Sequence, residues 1–401
     1  MFIKPTVFVL GAGTGVHYGY PLGKALIQDI MVDMINDLIF LPKSIVPDEI
    51  IKARSRDGNT TLFKGQIVFK EGLEKLDTLE NLEKNPVFAP INDKFITCKN
   101  SGEMFVAVYI IELDQFNEFY EELSHSDSIS IDSFLRDHPE YSDIGRTMIV
   151  YTLLKKENIN QFKLQLDIKG IANAELNKLQ DNWISFLLNE LMSGLDKPED
   201  FLNNAFHILT FNYSMEIEYS LITRLRKIKK FNESSNLLEK VIEKIKQSII
   251  HVNGYLYEIT DIANYGKYSS FGVVVTESST QRFAHAYSLK ENVKLIPHQR
   301  QDSNEVKTII QNAAEIIVIG FSFDKDNLKS LGLEGGVSRL ASILSNTHLL
   351  YLDYESKLLN LEQQLEKIAA VNRGFRFQYT RATGKSISEA YQNVFKVRLT
   401  D

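Results

Sequence analysis

The stretch from Val7 to Gly23, reading VFVLGAGTGVHYGYPLG, constrains the fold more than any other part of the chain. Val7 to Leu10 is an unbroken apolar run, the pattern of a strand buried on both faces. It leads into Gly11, Gly13, Gly15 and Gly19, and an apolar helix is expected from about Gly23. Strand, glycine turn and helix start together make a pocket suited to a phosphate. Glycine lets the backbone come close, and the N–H groups of a helix start favour an anion. The plainer reading is a tight strand-to-helix turn with no ligand. Four glycines between Gly11 and Gly19 exceed what a turn needs, which favours nucleotide binding. The usual dinucleotide fingerprint is not met. Gly11 and Gly13 match its first two glycines, but Val16 stands at the third, and no second strand ends in an acidic residue at the expected distance.

Composition sets outer limits. A chain of 401 residues suits one large domain or two smaller ones. Its 44% hydrophobic and 24% charged residues are ordinary for a soluble globular protein. A net charge of −7 argues against global attraction to nucleic acid or to anionic membranes. The basic run Arg224, Arg226, Lys227, Lys229 and Lys230 reads as a solvated helix end. Cys98 is the single cysteine, which rules out an internal disulfide and a cysteine-cluster zinc site. The N-terminus lacks a signal-peptide pattern and its apolar run is too short for a membrane, so the cytoplasm is the default compartment.

Along the chain, a helix is expected over Lys24 to Leu38. Residues 42–100 are mixed and polar with Pro42, Pro47, Pro86 and Pro90 as breakers, and Leu73 to Leu82 has a helical character. Met104 to Leu113 reads as a strand, Ser130 or Asp132 as a helix cap, and Gly145 to Lys155 as a buried helix. Trp183 sits in an amphipathic helix and is read as core. From Phe206 strands and helices alternate. Strands are expected at Phe206–Phe211, Ile249–Val252, Gly272–Thr276, Ile316–Phe321 and Leu349–Asp353, and helices at 236–248, 303–314 and 355–370. Such alternation predicts an α/β fold with a Rossmann-like, doubly wound parallel sheet. Residues 1–24 and 205–401 would form that domain, with 25–204 as a large, mainly helical insertion. Ligands bind such sheets at the carboxyl ends of the strands, which directs attention to Gly11–Pro21, Asn212, His251–Gly254, Gly320–Phe323 and Asp353.

Four short motifs at those ends, in this order, resemble the sirtuin-like (silent information regulator-like) family, in particular its bacterial NADase branch. They are Gly11-Ala12-Gly13-Thr14 with Gly19-x-Pro21-Leu22, then Thr210-Phe211-Asn212-Tyr213, then Asn253-Gly254, then Gly320-x-Ser322. Three positions depart from the family pattern: Gly15 replaces a serine, Ser214 an aspartate, and Asn253 the catalytic histidine. The resemblance implies that Gly11, Ala12, Gly13, Thr14, Gly19, Pro21, Leu22, Thr210, Gly254, Gly320, Ser322 and Asp353 bind NAD. It implies a catalytic group of Asn212, His251 and Asn253. His251, two residues before Asn253, is the first candidate for the missing base and His17 the second; the commoner fate of such a histidine is a hydrogen-bonded structural role.

Protein-deacylating sirtuins carry a four-cysteine zinc module that one cysteine cannot build. The resemblance therefore implies an NAD hydrolase of anti-phage defence that releases nicotinamide and ADP-ribose and needs no metal. Its implied partners are further copies of itself and a hexameric, translocase-like (HerA-type) ATPase, with no nucleic acid and no membrane. Two alternatives stand beside it. One is a degenerate or inactivated NAD- or ADP-ribose-binding sensor or scaffold of a defence complex. The other is an ADP-ribosyl transferase using the same intermediate.

Overall fold

The computed structural model describes residues 1–40, 51–55, 60–61, 67–69, 94–100, 103–108, 113–156, 183–232, 235–256, 286–287, 289–295, 303–321, 325–333, 347–353, 366–367, 370 and 376–381. The chain divides into two units. One comprises 1–20, 160–255 and 296–401; the other comprises 21–159 and 256–295. Segment 256–295, assigned by sequence to the nucleotide domain, thus groups with the second unit.

The first unit is built on a sheet of six strands: β1 (Thr6–Leu10), β8 (Phe206–Thr210), β9 (Ile249–His251), β10 (Glu315–Ile319), β11 (His348–Asp353) and β12 (Arg376–Arg381). Their order is β12-β11-β10-β1-β8-β9, and every neighbouring pair is parallel. The chain starts in the middle, moves outward through β8 and β9, then returns to the other side of β1 for β10, β11 and β12. That reversal defines a topological switch point between β1 and β10, where Rossmann-like sheets open a crevice.

The sequence accounts for this core directly. All five residues of β1 and all five of β10 are buried, as their continuous apolar runs predict. Side chains alternate between faces. Val7, Val9, Ile316, Val318 and Leu209 pack with Val306 and Ile310 of α9 (Ser303–Gln311). On the other face the Phe8 and Phe2 rings meet edge to face at 5.5 Å, and Lys244 of α8 (Ser235–Ser248) lies over Phe206. Helices therefore flank the sheet on both faces, and the unit is an α/β structure of Rossmann-like topology.

The expected strands at 206–211, 249–252, 316–321 and 349–353 are present within a residue or two. The sequence reading missed β12. The strand expected at Gly272–Thr276, most of the helix at 355–370 and the helix at Leu73–Leu82 lie outside the described residues. Trp183 is buried, in α5 (Trp183–Met192).

The second unit contains α1 (Gly23–Asp37), α2 (Leu113–His125), α3 (Ile131–Asp137) and α4 (Ser142–Lys156). Ser130, rather than Asp132, caps α3: its hydroxyl accepts from the Ser133 N–H at 3.2 Å. Every residue from Ile144 to Leu154 is buried, the polar Arg146, Thr147 and Thr152 among them. Lys155 ties α4 to Asp33 of α1 at 2.7 Å. The segment read as mainly helical also carries strands: β2 (Leu38–Phe40) pairs with β5 (Ile67–Phe69), and β3 (Ile51–Ser55), β4 (Thr60–Thr61), β6 (Lys94–Asn100) and β7 (Glu103–Val108) form an antiparallel sheet. β7 lies in the apolar run expected as a strand from Met104, whereas the polar, proline-punctuated sequence before it has no clean alternation to announce the others.

Candidate active site at the carboxyl ends of β1 and β8

The register aligns Leu10 with Thr210 and Ile319, and Thr210 with His251. The segments that follow these residues therefore emerge side by side. After β1 the chain forms a 3-10 turn over Ala12–Tyr18, ended by Gly19, rather than entering an α-helix at once.

The glycines of this loop have a packing role that the sequence does not reveal. A Cβ on Gly11 would lie 2.2 Å from the Gly320 carbonyl oxygen, and one on Gly13 would lie 2.9 Å from Gly320 Cα. Gly320 itself has φ +56°. The two loops at the switch point thus touch backbone to backbone. The Gly11 N–H donates to Ile319 O at 3.0 Å, Gly13 N–H to Gly320 O at 3.1 Å, and Thr14 N–H to Gly11 O at 3.0 Å. These three amides are engaged by the protein. Ala12 remains exposed between them. Gly15, where the family pattern has serine, faces Tyr20: a Cβ there would meet Tyr20 Cβ at 3.3 Å.

Asn212 is the centre of the site. Its Nδ2 donates to Thr14 Oγ1 at 2.9 Å and to Glu216 Oε1 at 3.3 Å. Thr14 Oγ1 in turn donates to Gly11 O at 2.8 Å, and the Asn212 N–H is bonded to Thr210 Oγ1 at 3.1 Å. Both hydrogens of the amide are therefore committed, and Oδ1 is the atom left to face a ligand.

Glu216 and Glu218 were not among the residues singled out by sequence, yet both are buried at the start of α6 (Glu216–Lys227). Burial pushes the Glu216 carboxyl up to about 7; hydrogen bonds from the Ser214 side chain and its own backbone N–H offset part of this, Glu218 raises it further and His251 opposes. The signal was the close pair of acids directly after the Thr-x-Asn strand end, at a helix start where acids are favoured.

His251 Nδ1 lies 2.9 Å from Asn212 O, and its Nε2 lies 2.7 Å from Glu218 Oε1. A carbonyl and a carboxylate both accept, so an imidazolium donating from both nitrogens satisfies them. Burial pulls the His251 pKa down, but the Glu218 charge and hydrogen bond, the Asn212 carbonyl and Glu216 outweigh it, and the net shift is upward. Both ring nitrogens lie within hydrogen-bond distance of protein acceptors and the side chain is 6% exposed, the arrangement of the hydrogen-bonded histidine in the commoner reading.

Asn253 is buried, and its Nδ2 donates to Phe211 O at 3.2 Å. It follows β9 in a turn closed by Gly254 N–H on His251 O at 3.1 Å, with Gly254 at φ +85°. Thr210 is fully buried beneath the site. Gly19 closes the 3-10 turn with its N–H on Val16 O at 3.0 Å. Pro21 and Leu22 begin the second unit. Asp353 ends β11, separated from β1 by β10. Ser322 lies outside the described residues, as do the side chains of His17 and Asp353. Among the described residues, no group of three or more histidine, cysteine or acidic side chains is arranged to hold a metal ion. Among those residues, too, no helix is long and apolar enough to cross a membrane.

Fold and site define an α/β protein with a polar centre beside the switch point of a Rossmann-like parallel sheet. Comparison with family models, with curated proteins and with solved structures finds no match to the chain.

Proposed function

We propose that this chain binds NAD at the carboxyl ends of β1, β8 and β10 and cleaves the bond between nicotinamide and ribose. The observation that carries the reading is the fixed orientation of Asn212, whose two amide hydrogens are held by Thr14 and Glu216 so that Oδ1 is presented. In the cleavage, the C1′–N bond breaks and its electron pair leaves with nicotinamide, which becomes neutral. Positive charge develops on the ribose, as in glycoside hydrolysis. An acceptor oxygen such as Asn212 Oδ1, backed by a buried carboxyl, stabilises that charge. Water then adds to C1′ and releases its proton to solvent, giving ADP-ribose. Released this way in a cell, nicotinamide would signal the NAD depletion by which anti-phage NADases act. By the same resemblance, self-assembly and a HerA-type ATPase partner belong to the proposal.

One observation favours a second reading. Asn253 stands where the family has its histidine, and both nitrogens of His251 are engaged within the protein. A site in which, among the described residues, both nitrogens of the nearby imidazole are engaged suits a sensor or scaffold that binds NAD or ADP-ribose without rapid turnover.

The deciding experiment measures nicotinamide release from NAD by the wild-type chain, Asn253→His and Asn212→Ala, alone and with any co-purifying ATPase. Release that is enhanced by Asn253→His and abolished by Asn212→Ala supports the hydrolase. Binding of ADP-ribose without release in any condition favours the sensor. Neither binding nor release overturns both.

A further inference from the structure

Glu216 is fully buried, 3.3 Å from the amide that the proposed reaction depends on. Its second oxygen, Oε2, is buried with no hydrogen-bond partner among the described residues. The other acid nearby, Glu218, is paired with His251 at 2.7 Å. Among the described residues, no ion pair engages Glu216. The side chains facing it from the glycine loop and the β8 end, Thr14, Asn212 and Ser214, are uncharged. Among the described residues, the charged groups that bear on it are Glu218 on its own helix and His251 from β9.

We infer that Glu216 is the positioning residue of this site: it holds the Asn212 amide with Oδ1 toward the ligand, and its negative charge makes the site favour a positively charged ring over a neutral one. This rests on the NAD-binding reading proposed above and specifies what part of the ligand is sensed. The oxidised nicotinamide ring carries a positive charge on its glycosidic nitrogen; the reduced ring does not. A carboxylate a few ångströms behind the contact atom, in a medium of low dielectric, acts on that difference. Glu216 titrates near neutrality, so the preference itself varies over an accessible pH range.

The test measures calorimetric affinities of the full chain for three probes at pH 6 and pH 8.5. They are carba-NAD, which resists hydrolysis, its dihydro form, and ADP-ribose. The preference for the oxidised over the reduced ring should rise by about tenfold between the two pH values. In Glu216→Gln, which keeps an acceptor for Asn212 Nδ2, that rise should vanish. If ADP-ribose and carba-NAD bind but the preference is the same at both pH values, or persists unchanged in Glu216→Gln, the inference is overturned and the NAD-binding reading survives. If none of the probes binds, both fall. Should Glu216→Gln not fold, the wild-type comparison across pH still decides, and Glu216→Asp, which keeps the charge and withdraws it from Asn212, should retain the pH dependence at lower affinity.

Discussion

Thr14 and Asn212, 198 residues apart, share a 2.9 Å hydrogen bond whose direction is set by a third group. The Thr14 hydroxyl gives its proton to Gly11 O at 2.8 Å, so toward Asn212 it can only accept. The amide must therefore turn its nitrogen to Thr14 and its oxygen away. A loop at the start of the chain thus dictates which way the Asn212 amide faces.

Thr14→Val keeps the shape of the side chain and removes that acceptor, leaving a buried amide hydrogen unmatched. It should cost about 1–3 kcal/mol of stability and at least about tenfold in ADP-ribose affinity. Thr14→Ser should recover most of both. Denaturant unfolding and calorimetry check this; wild-type affinity in Thr14→Val would remove the anchor from the site.

Gly11→Ala drives a methyl to 2.2 Å from the Gly320 carbonyl oxygen and 2.5 Å from Phe321 Cα. Both are backbone, so no side-chain rotation relieves the contact. A destabilisation of about 3 kcal/mol is expected, with the β1 and β10 ends forced apart. Thermal unfolding of the variant provides the check, and an unchanged midpoint would contradict the packing described.

Glu216 should also make stability depend on pH. Its folded-state pKa lies near 7 against an ordinary 4.5, so the folded chain binds the proton more tightly than the unfolded one. Stability is then fully present below about pH 4.5 and falls as pH rises to about 7, by roughly 3 kcal/mol. His251, whose pKa is also raised, contributes a loss of the same sign as pH rises through its folded value. Subtracting the urea-unfolding curve of Glu216→Gln isolates the Glu216 share. If the wild type and the variant have parallel pH profiles, the carboxyl is not desolvated as described.

In the second unit, Asp143 accepts from Lys290 at 2.7 Å and from Arg146 at 2.9 Å. The Lys290 hydrogen bond is the main cause of the lowered Asp143 pKa. Lys290 is buried, with its ammonium 3.9 Å from the centre of the Tyr287 ring. Asp143→Ala strands that ammonium and should destabilise by about 1–3 kcal/mol, whereas Lys290→Met, which removes the charge and keeps the stem, should cost less. Equal losses for the two would argue against a stranded charge.

The places where sequence reading and structure part company share a cause. The sequence reading located β1, β8, β9, β10 and β11 because each is a short apolar run whose burial is written locally. It missed β12, Arg376–Arg381, whose sequence RFQYTR alternates polar and aromatic residues at the edge of the sheet. It found β7 in the apolar run from Met104 but missed the antiparallel strands between Ile51 and Asn100, where no period stands out. At the site it picked out Asn212, Thr14, His251 and the glycines at strand ends, but not the contacts they make there: Glu218 on His251 and the Gly320 backbone on Gly11 and Gly13. A histidine on a strand looks available until a glutamate from another element takes its second nitrogen, and a glycine-rich turn looks open until another backbone fills it.

By itself, then, the sequence determined the class of fold, the strand ends at which polar residues collect, and the presence of Asn212 among them. These follow from local patterns: apolar runs, glycine turns and alternation of strand with helix. Only the tertiary structure decided that β1 and β10 meet at Gly11 and Gly320, that Thr14 orients Asn212, and that Glu216 is buried beside it while Glu218 takes a ring nitrogen of His251. Those outcomes depend on strand order and on which side chains lose their water together, and both are properties of residues brought into contact from distant parts of the chain.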